Sequence, residues 1–150
     1  MLQFKLQRFS QDRILGSSAT VAIYGPNGPV NVMEVDSCKE TRKSSQKQFQ
    51  PLGEVGEHTQ DIYEGYELNF SGGVVDPSYD DLVDQVDQAA MNGQQNLRFR
   101  VTQTIEYYGG TTVTYVYPNT VLYGFEKDSK SAKDDITWSF KGASRTRTKG

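Results

Sequence analysis

Arg98-Phe99-Arg100-Val101-Thr102-Gln103-Thr104-Ile105-Glu106-Tyr107-Tyr108 repeats with a period of two. Phe99, Val101, Ile105 and Tyr107 fall on one face. Arg98, Arg100, Thr102, Thr104 and Glu106 fall on the other, the pattern of a half-buried β-strand. Gly109-Gly110 follows, a pair able to take the positive φ angles of a tight hairpin. The chain then runs back through residues 111–117, with Val113, Tyr115 and Tyr117 on one face. Pro118-Asn119 reads as a break, after which Val121, Tyr123 and Phe125 begin another strand. A charged turn covers residues 127–135, and Ile136, Trp138 and Phe140 alternate in a last strand. The spacing predicts a four-stranded antiparallel meander over residues 97–142.

The upstream half carries the same period with longer excursions. Residues 20–24 form a predicted strand closed by Gly25-Pro26-Asn27-Gly28-Pro29, a dense turn signal. Residues 30–36 form a second, able to run on to Arg42. Residues 63–71 form a third, with Tyr66, Leu68 and Phe70 opposite Glu67 and Asn69. Residues 41–59 between them are polar, punctuated by Pro51, Gly53 and Gly56, and read as a long polar loop. A loop of that length in a small domain either has a task or is disordered. Tyr79, Leu82, Val83, Val86, Ala89 and Ala90 break the β period, recurring at three and four, which marks an amphipathic helix over residues 76–92. Asp76 or Ser78 is the expected N-cap, Asp80 and Asp81 suit the first turn, and Asn92-Gly93 ends it. The apolar stripe is expected to be core, leaving Asp84 and Asp87 outward.

Charge is segregated. Residues 48–97 hold ten carboxylates and no Lys or Arg, while all 16 basic residues lie in the flanks. Like charges repel within a compact state, so a one-signed stretch is either a solvated face or a surface that meets a basic partner or avoids a polyanion. The net charge of −3 is mild. Nine Tyr and seven Phe supply large buried areas from few residues, and 150 residues suffice for one domain with a core. No apolar run approaches the ~20 residues that span a bilayer, so no membrane insertion is expected. The opening MLQFKLQRFS lacks the apolar core of a signal peptide, which points to the cytoplasm.

Catalytic chemistry finds little support. His58 is the only histidine and Cys38 the only cysteine, too few for a zinc site, and one cysteine forms no internal disulfide. No phosphate-loop pattern follows Gly25. Asp80, Asp81, Asp84 and Asp87 stand at helical spacing, not on a calcium loop. No cofactor, metal or enzymatic activity is expected.

The order of strands, polar loop, strand, helix and meander resembles the tail tube proteins of contractile-tailed bacteriophages and the related type VI secretion tube proteins. The resemblance is carried by Gly25-Pro26-Asn27-Gly28, Lys39-Glu40-Thr41-Arg42-Lys43, Tyr66-Glu67-Leu68-Asn69-Phe70, Asp80-Asp81-Leu82-Val83-Asp84-Gln85-Val86 and Arg98-Phe99-Arg100-Val101, over essentially the whole chain. It implies a mainly β fold, a two-sheet β-barrel or sandwich with one flanking helix, spanning residues 1–150 as a single domain. It implies a structural protein of the virion tail, assembled in the host cytoplasm into homo-hexameric rings stacked as a hollow tube. DNA would pass the lumen without specific binding, and tail sheath, baseplate and tail terminator proteins would be partners. On that reading Arg42, Lys43, Lys47, Glu54, Glu57, Asp61, Arg145 and Arg147 serve contacts between copies. Glu64 and Glu67 face an acidic lumen, and Asp84 and Asp87 lie on the outer helix face. The alternative is a small ligand- or carbohydrate-binding β-barrel module using Tyr107, Tyr115, Tyr117 and Tyr123.

Overall fold

The computed structural model describes residues 13–16, 19–26, 28–30, 35–94 and 97–150. The opening segment, residues 1–12, and residues 31–34 of the strand expected at 30–36 lie outside them. The fold is mainly β: β1 (Ala19–Gly25), β2 (Gly28–Val30), β3 (Val35–Phe49), β4 (His58–Gly73), α1 (Ser78–Met91), β5 (Arg98–Glu106), β6 (Thr112–Asp128), β7 (Thr137–Ser144) and β8 (Thr148–Lys149). All pairings are antiparallel and join the strands into one sheet in the order β2-β1-β5-β6-β7-β4-β3, with β8 added beside β6. The expected two layers are therefore two halves of one continuous sheet.

The hinge between the halves is β6. Its first part pairs with β5 (Val113 with Ile105, Tyr117 with Val101) and its second with β7 (Leu122 with Gly142, Asp128 with Thr137). The meander thus has three strands, because Pro118-Asn119 bends the second without ending it. Those two residues face the single Arg100, a β-bulge in which a proline costs no ladder hydrogen bond. Asn119 takes a φ of 52°, and the Thr120 hydroxyl donates to the Tyr117 carbonyl at 2.9 Å, so the bend is internally braced.

The bend lets the two inner faces cover one another. Ile23, Phe99, Val101 and Tyr117 from one half join Leu68, Phe70, Leu122, Trp138 and Phe140 from the other in a single buried cluster. Helix α1 closes the second half, adding Tyr79 and Leu82. The Tyr79 ring stacks on Trp138 at 5.7 Å and lies 6.3 Å from Phe125, and its hydroxyl donates to the Glu126 carbonyl. Pro77 occupies the N-cap position, and Asp76 accepts from the Ser78 N–H one residue further on. Ala90, expected on the stripe, is exposed.

The polar segment at 41–59 is mostly strand. Residues 41–49 belong to β3 and 58–59 to β4, leaving a short connection at 50–57. The alternation that marks a strand needs one dry face, and here both faces are polar. Gly142 shows how tightly the core is fitted: a Cβ there would stand 2.9 Å from Thr120 Cγ2 and 3.3 Å from Leu122 Cδ2. Gly142→Ala should lower stability by about 1–3 kcal/mol in chemical denaturation. Gly16→Ala, where nothing lies within 4 Å, should leave it unchanged.

Candidate assembly surface

Strand β7 pairs with β4 only from Gly73 to Tyr66. From Gly65 outward to His58, β4 pairs with β3 alone among the described residues, so residues 43–65 leave the sheet as a two-stranded arm. Eight residues at ~3.3 Å each give it a reach of about 25 Å. The arm departs at a bulge. Lys43 faces Gly65 and Ser44 faces Tyr63, which leaves Glu64 unpaired in the ladder. Gly65 has a φ of +112°, and a Cβ there would stand 2.7 Å from the Ser144 carbonyl oxygen. Only glycine fits both constraints.

The residues grouped in sequence by charge sign are brought together across this ladder. Arg42 pairs with Asp61 at 3.0 Å and stacks its guanidinium 5.3 Å from the Tyr63 ring. Lys43 pairs with Glu67 at 3.3 Å on the opposite face. Hydrogen bonds from Arg42, then from Ser44 and Gln46, hold the Asp61 carboxyl below the usual carboxylate range. Because that pKa is depressed on folding, this brace is fully present above the ordinary range and is lost as pH falls through the lowered value. Lys47 lies opposite Gln60, further out on the face of Lys43. At the tip, Glu54 meets His58 Nε2, whose ring stacks on Phe49 at 5.5 Å. Glu57 is exposed. Leu52 and Val55 are each 103% exposed, more open than any other large apolar side chain described.

The two expected lumen residues have different settings. Glu67 is half-buried beside Lys43. Glu64 sits in the bulge and lines a cleft of about 630 Å³ at the arm's base with Tyr66, Arg98, Pro118, Val121, Ala143 and Arg145. Asp84 and Asp87 are exposed on α1, while Asp80 pairs with Lys127 at 2.9 Å.

Arg147 is a latch that its place in a basic tail does not reveal. Its guanidinium donates to Glu40 Oε1 at 2.6 Å and lies between the rings of Tyr66 and Tyr115, at 5.1 and 4.2 Å. The buried Tyr117 hydroxyl donates to Glu40 Oε2 at 2.5 Å. Burial, then the hydrogen bond and charge of Glu40, push that hydroxyl's pKa up, with Arg147 opposing. Desolvation works against the charge of Arg147, but Glu40 and the tyrosines outweigh it and leave the pKa raised. The Cys38 thiol nearby is pushed up to about 11 by burial and then by Glu40, an unreactive setting. Of the four tyrosines considered for a binding face, Tyr117 is fully buried and Tyr115 is covered by Arg147. They do not form one open surface. Among the described residues no three His, Cys, Asp or Glu side chains gather as a metal site, and no helix is long and apolar enough to cross a membrane.

This architecture, a bent antiparallel sheet with one helix and a projecting arm, is shared with chains of known structure. No protein-family model matches the chain, and no curated protein is similar to it in sequence. By structure, it superposes on a chain of the sheath–tube complex of the PVC extracellular contractile injection system with a TM-score of 0.66. The two chains share 12% identity over 99% of each. A chain of the anti-feeding prophage baseplate gives 0.64 at 13% identity, over 93% of this chain and 97% of that one. The SPP1 tail tube gives 0.57 at 10%, over 92% and 79%.

Arg147→Ala would leave Glu40 and Tyr117 without their cation. It should cost about 1–3 kcal/mol by urea denaturation, less than a fully buried pair because water reaches both groups. Adding Glu40→Gln should recover part of that loss, since no unpaired charge then remains.

Proposed function

We propose that this chain is a structural tube protein, all 150 residues acting as one domain without a catalytic role. Copies join in rings of six, and rings stack into a hollow tube in a virion tail or related particle assembled in the host cytoplasm. The observation that carries this reading is the likeness of the whole chain to tube-bearing assemblies, together with an arm held to its own body at its base, where the Tyr63 hydroxyl donates to the Arg145 carbonyl, and projecting beyond it. The contact an arm makes is heterologous, joining two different patches, and so it repeats without limit along an axis. Arg42, Lys43, Lys47, Glu54, Glu57 and Asp61 lie on or at the foot of that arm. With Arg145 and Arg147 on the C-terminal segment, they are the contacts proposed between copies. Arg42, Lys43, Asp61 and Arg147 have partners in their own chain, so their part is to set the shape of the contact. Glu57, Lys47 and Arg145 have more freedom to reach across it.

Sheath, baseplate and terminator proteins are the proposed partners, with Asp84 and Asp87 turned outward to the sheath. DNA is the proposed cargo. A basic wall would hold it through counterion release, so Glu64 and Glu67 are assigned to keep the lumen acidic. Individual exposed ion pairs contribute only ~0–1 kcal/mol, so strand pairing and apolar burial between copies must supply most of the cohesion.

Negative-stain microscopy of the concentrated protein should show rings or hollow tubes of uniform width; a protein that stays monomeric would refute the tube. Replacing residues 44–63 with Asn-Gly, which removes both arm strands and closes the stump with a tight turn, should abolish stacking and keep the β-rich circular dichroism spectrum. Unchanged tubes would exclude the arm from stacking. Glu64→Lys with Glu67→Lys should leave tube length alone and slow DNA release from particles, read as the rate of dye uptake by emerging DNA. Normal release would remove both residues from the lumen.

A further inference from the structure

The tip and the base of the arm are chemically complementary, and one chain cannot bring them together. The tip offers Leu52 and Val55, both fully exposed, with the carboxylate of Glu57 and that of Glu54 beside His58. The base carries the cleft of about 630 Å³, whose floor includes the apolar surfaces of Tyr66, Pro118, Val121 and Ala143. Lys43, Arg98 and Arg145 rim it, against the one carboxylate of Glu64. Lys43 is engaged with Glu67, and Arg98 reaches only the Asn119 carbonyl, at 3.4 Å. A strand ladder about 25 Å long separates tip from cleft within a copy. The braced arm, with Arg42 bridged to Asp61, has no turn by which to fold back.

We propose that the cleft is a socket for the arm tip of a second copy, with Leu52 and Val55 on the Pro118–Val121–Ala143 floor and Glu57 between Arg98 and Arg145. This rests on the tube reading and deepens it by naming the surface that receives the arm. Apolar anchors in a pocket supply cohesion, and the flanking charges fix which way the tip enters. The arm's own ladder is complete without the tip side chains. Leu52 and Val55 are therefore surplus to the monomer's stability and available to the neighbour.

Two experiments separate the socket from the fold and from the tube. Leu52→Ser with Val55→Ser should leave the melting temperature unchanged and reduce long tubes to rings or short stacks; tubes of wild-type length would overturn the socket. Glu57→Arg alone and Arg145→Glu alone should each shorten tubes severalfold, and the two reversals together should restore length. Failure of the double variant to exceed both singles would also overturn it. Direct contact is read in a Cys38→Ser background. With Leu52→Cys and Ala143→Cys together, a short bismaleimide should give a ladder of linked chains on a denaturing gel, absent with either cysteine alone. Assembled tubes without a ladder would reject the socket and keep the tube; no assembly by the wild type would reject both.

Discussion

One strand has to serve two halves of a sheet, and the fold hangs on how β6 does so. It is bonded to β5 from Thr112 across the bend to Val121, and to β7 from Val121 to Asp128. Were it straight, the inner faces would splay apart and Phe70, Phe99 and Phe140 would face water. The bulge at Pro118-Asn119 turns the strand, and the Thr120 hydroxyl holds the turn from inside. The bend also demands room, which is why Gly142 lies opposite, where any Cβ would collide with Thr120. The core follows from that geometry: aromatic rings from both halves meet, and Tyr79 of the helix caps the stack over Trp138 and Phe140.

The C-terminal latch completes the closure at low cost in chain length. Ser144 ends β7, and within three residues Arg147 has reached Glu40 on β3. A charge pair in a half-buried place stabilises only if its remaining hydrogen-bonding capacity is met. Here Tyr117 satisfies the second carboxylate oxygen, and two tyrosine rings cover the guanidinium faces. The arrangement ties β3, β4, β6 and the C-terminal segment at one point. It is also the place from which β3 and β4 continue outward as the arm.

How far the chain could be read without coordinates depended on whether a segment had one dry face. Strand β5 and helix α1 each do, and their periods of two and three to four gave them away. The arm has none: Arg42, Ser44 and Gln46 on one face and Lys43, Ser45 and Lys47 on the other differ in charge and size but not in polarity. It therefore read as a loop. Pro118-Asn119 read as a break because a proline within a strand usually is one; the bulge that accommodates it is a property of the partner strand's register. The excess of acid in residues 48–97 was plain, but its neutralisation was not. Arg42 lies nineteen residues from Asp61, and only the hairpin register makes them neighbours. Arg147 stood in a basic tail with nothing local to say that tyrosines at 66 and 115 would hold it.

The glycine at the foot of the arm has a mechanical consequence. A tilt of about 10° at Gly65, carried along a lever of ~25 Å, displaces the far end by about 4 Å, more than a hydrogen-bond length. In the proposed tube, such an error repeated from copy to copy would accumulate as curvature. The positive φ of Gly65 and the Ser144 carbonyl beside it allow no side chain at that joint. The straightness of the proposed tube would thus depend on the backbone torsions of one residue that has no side chain.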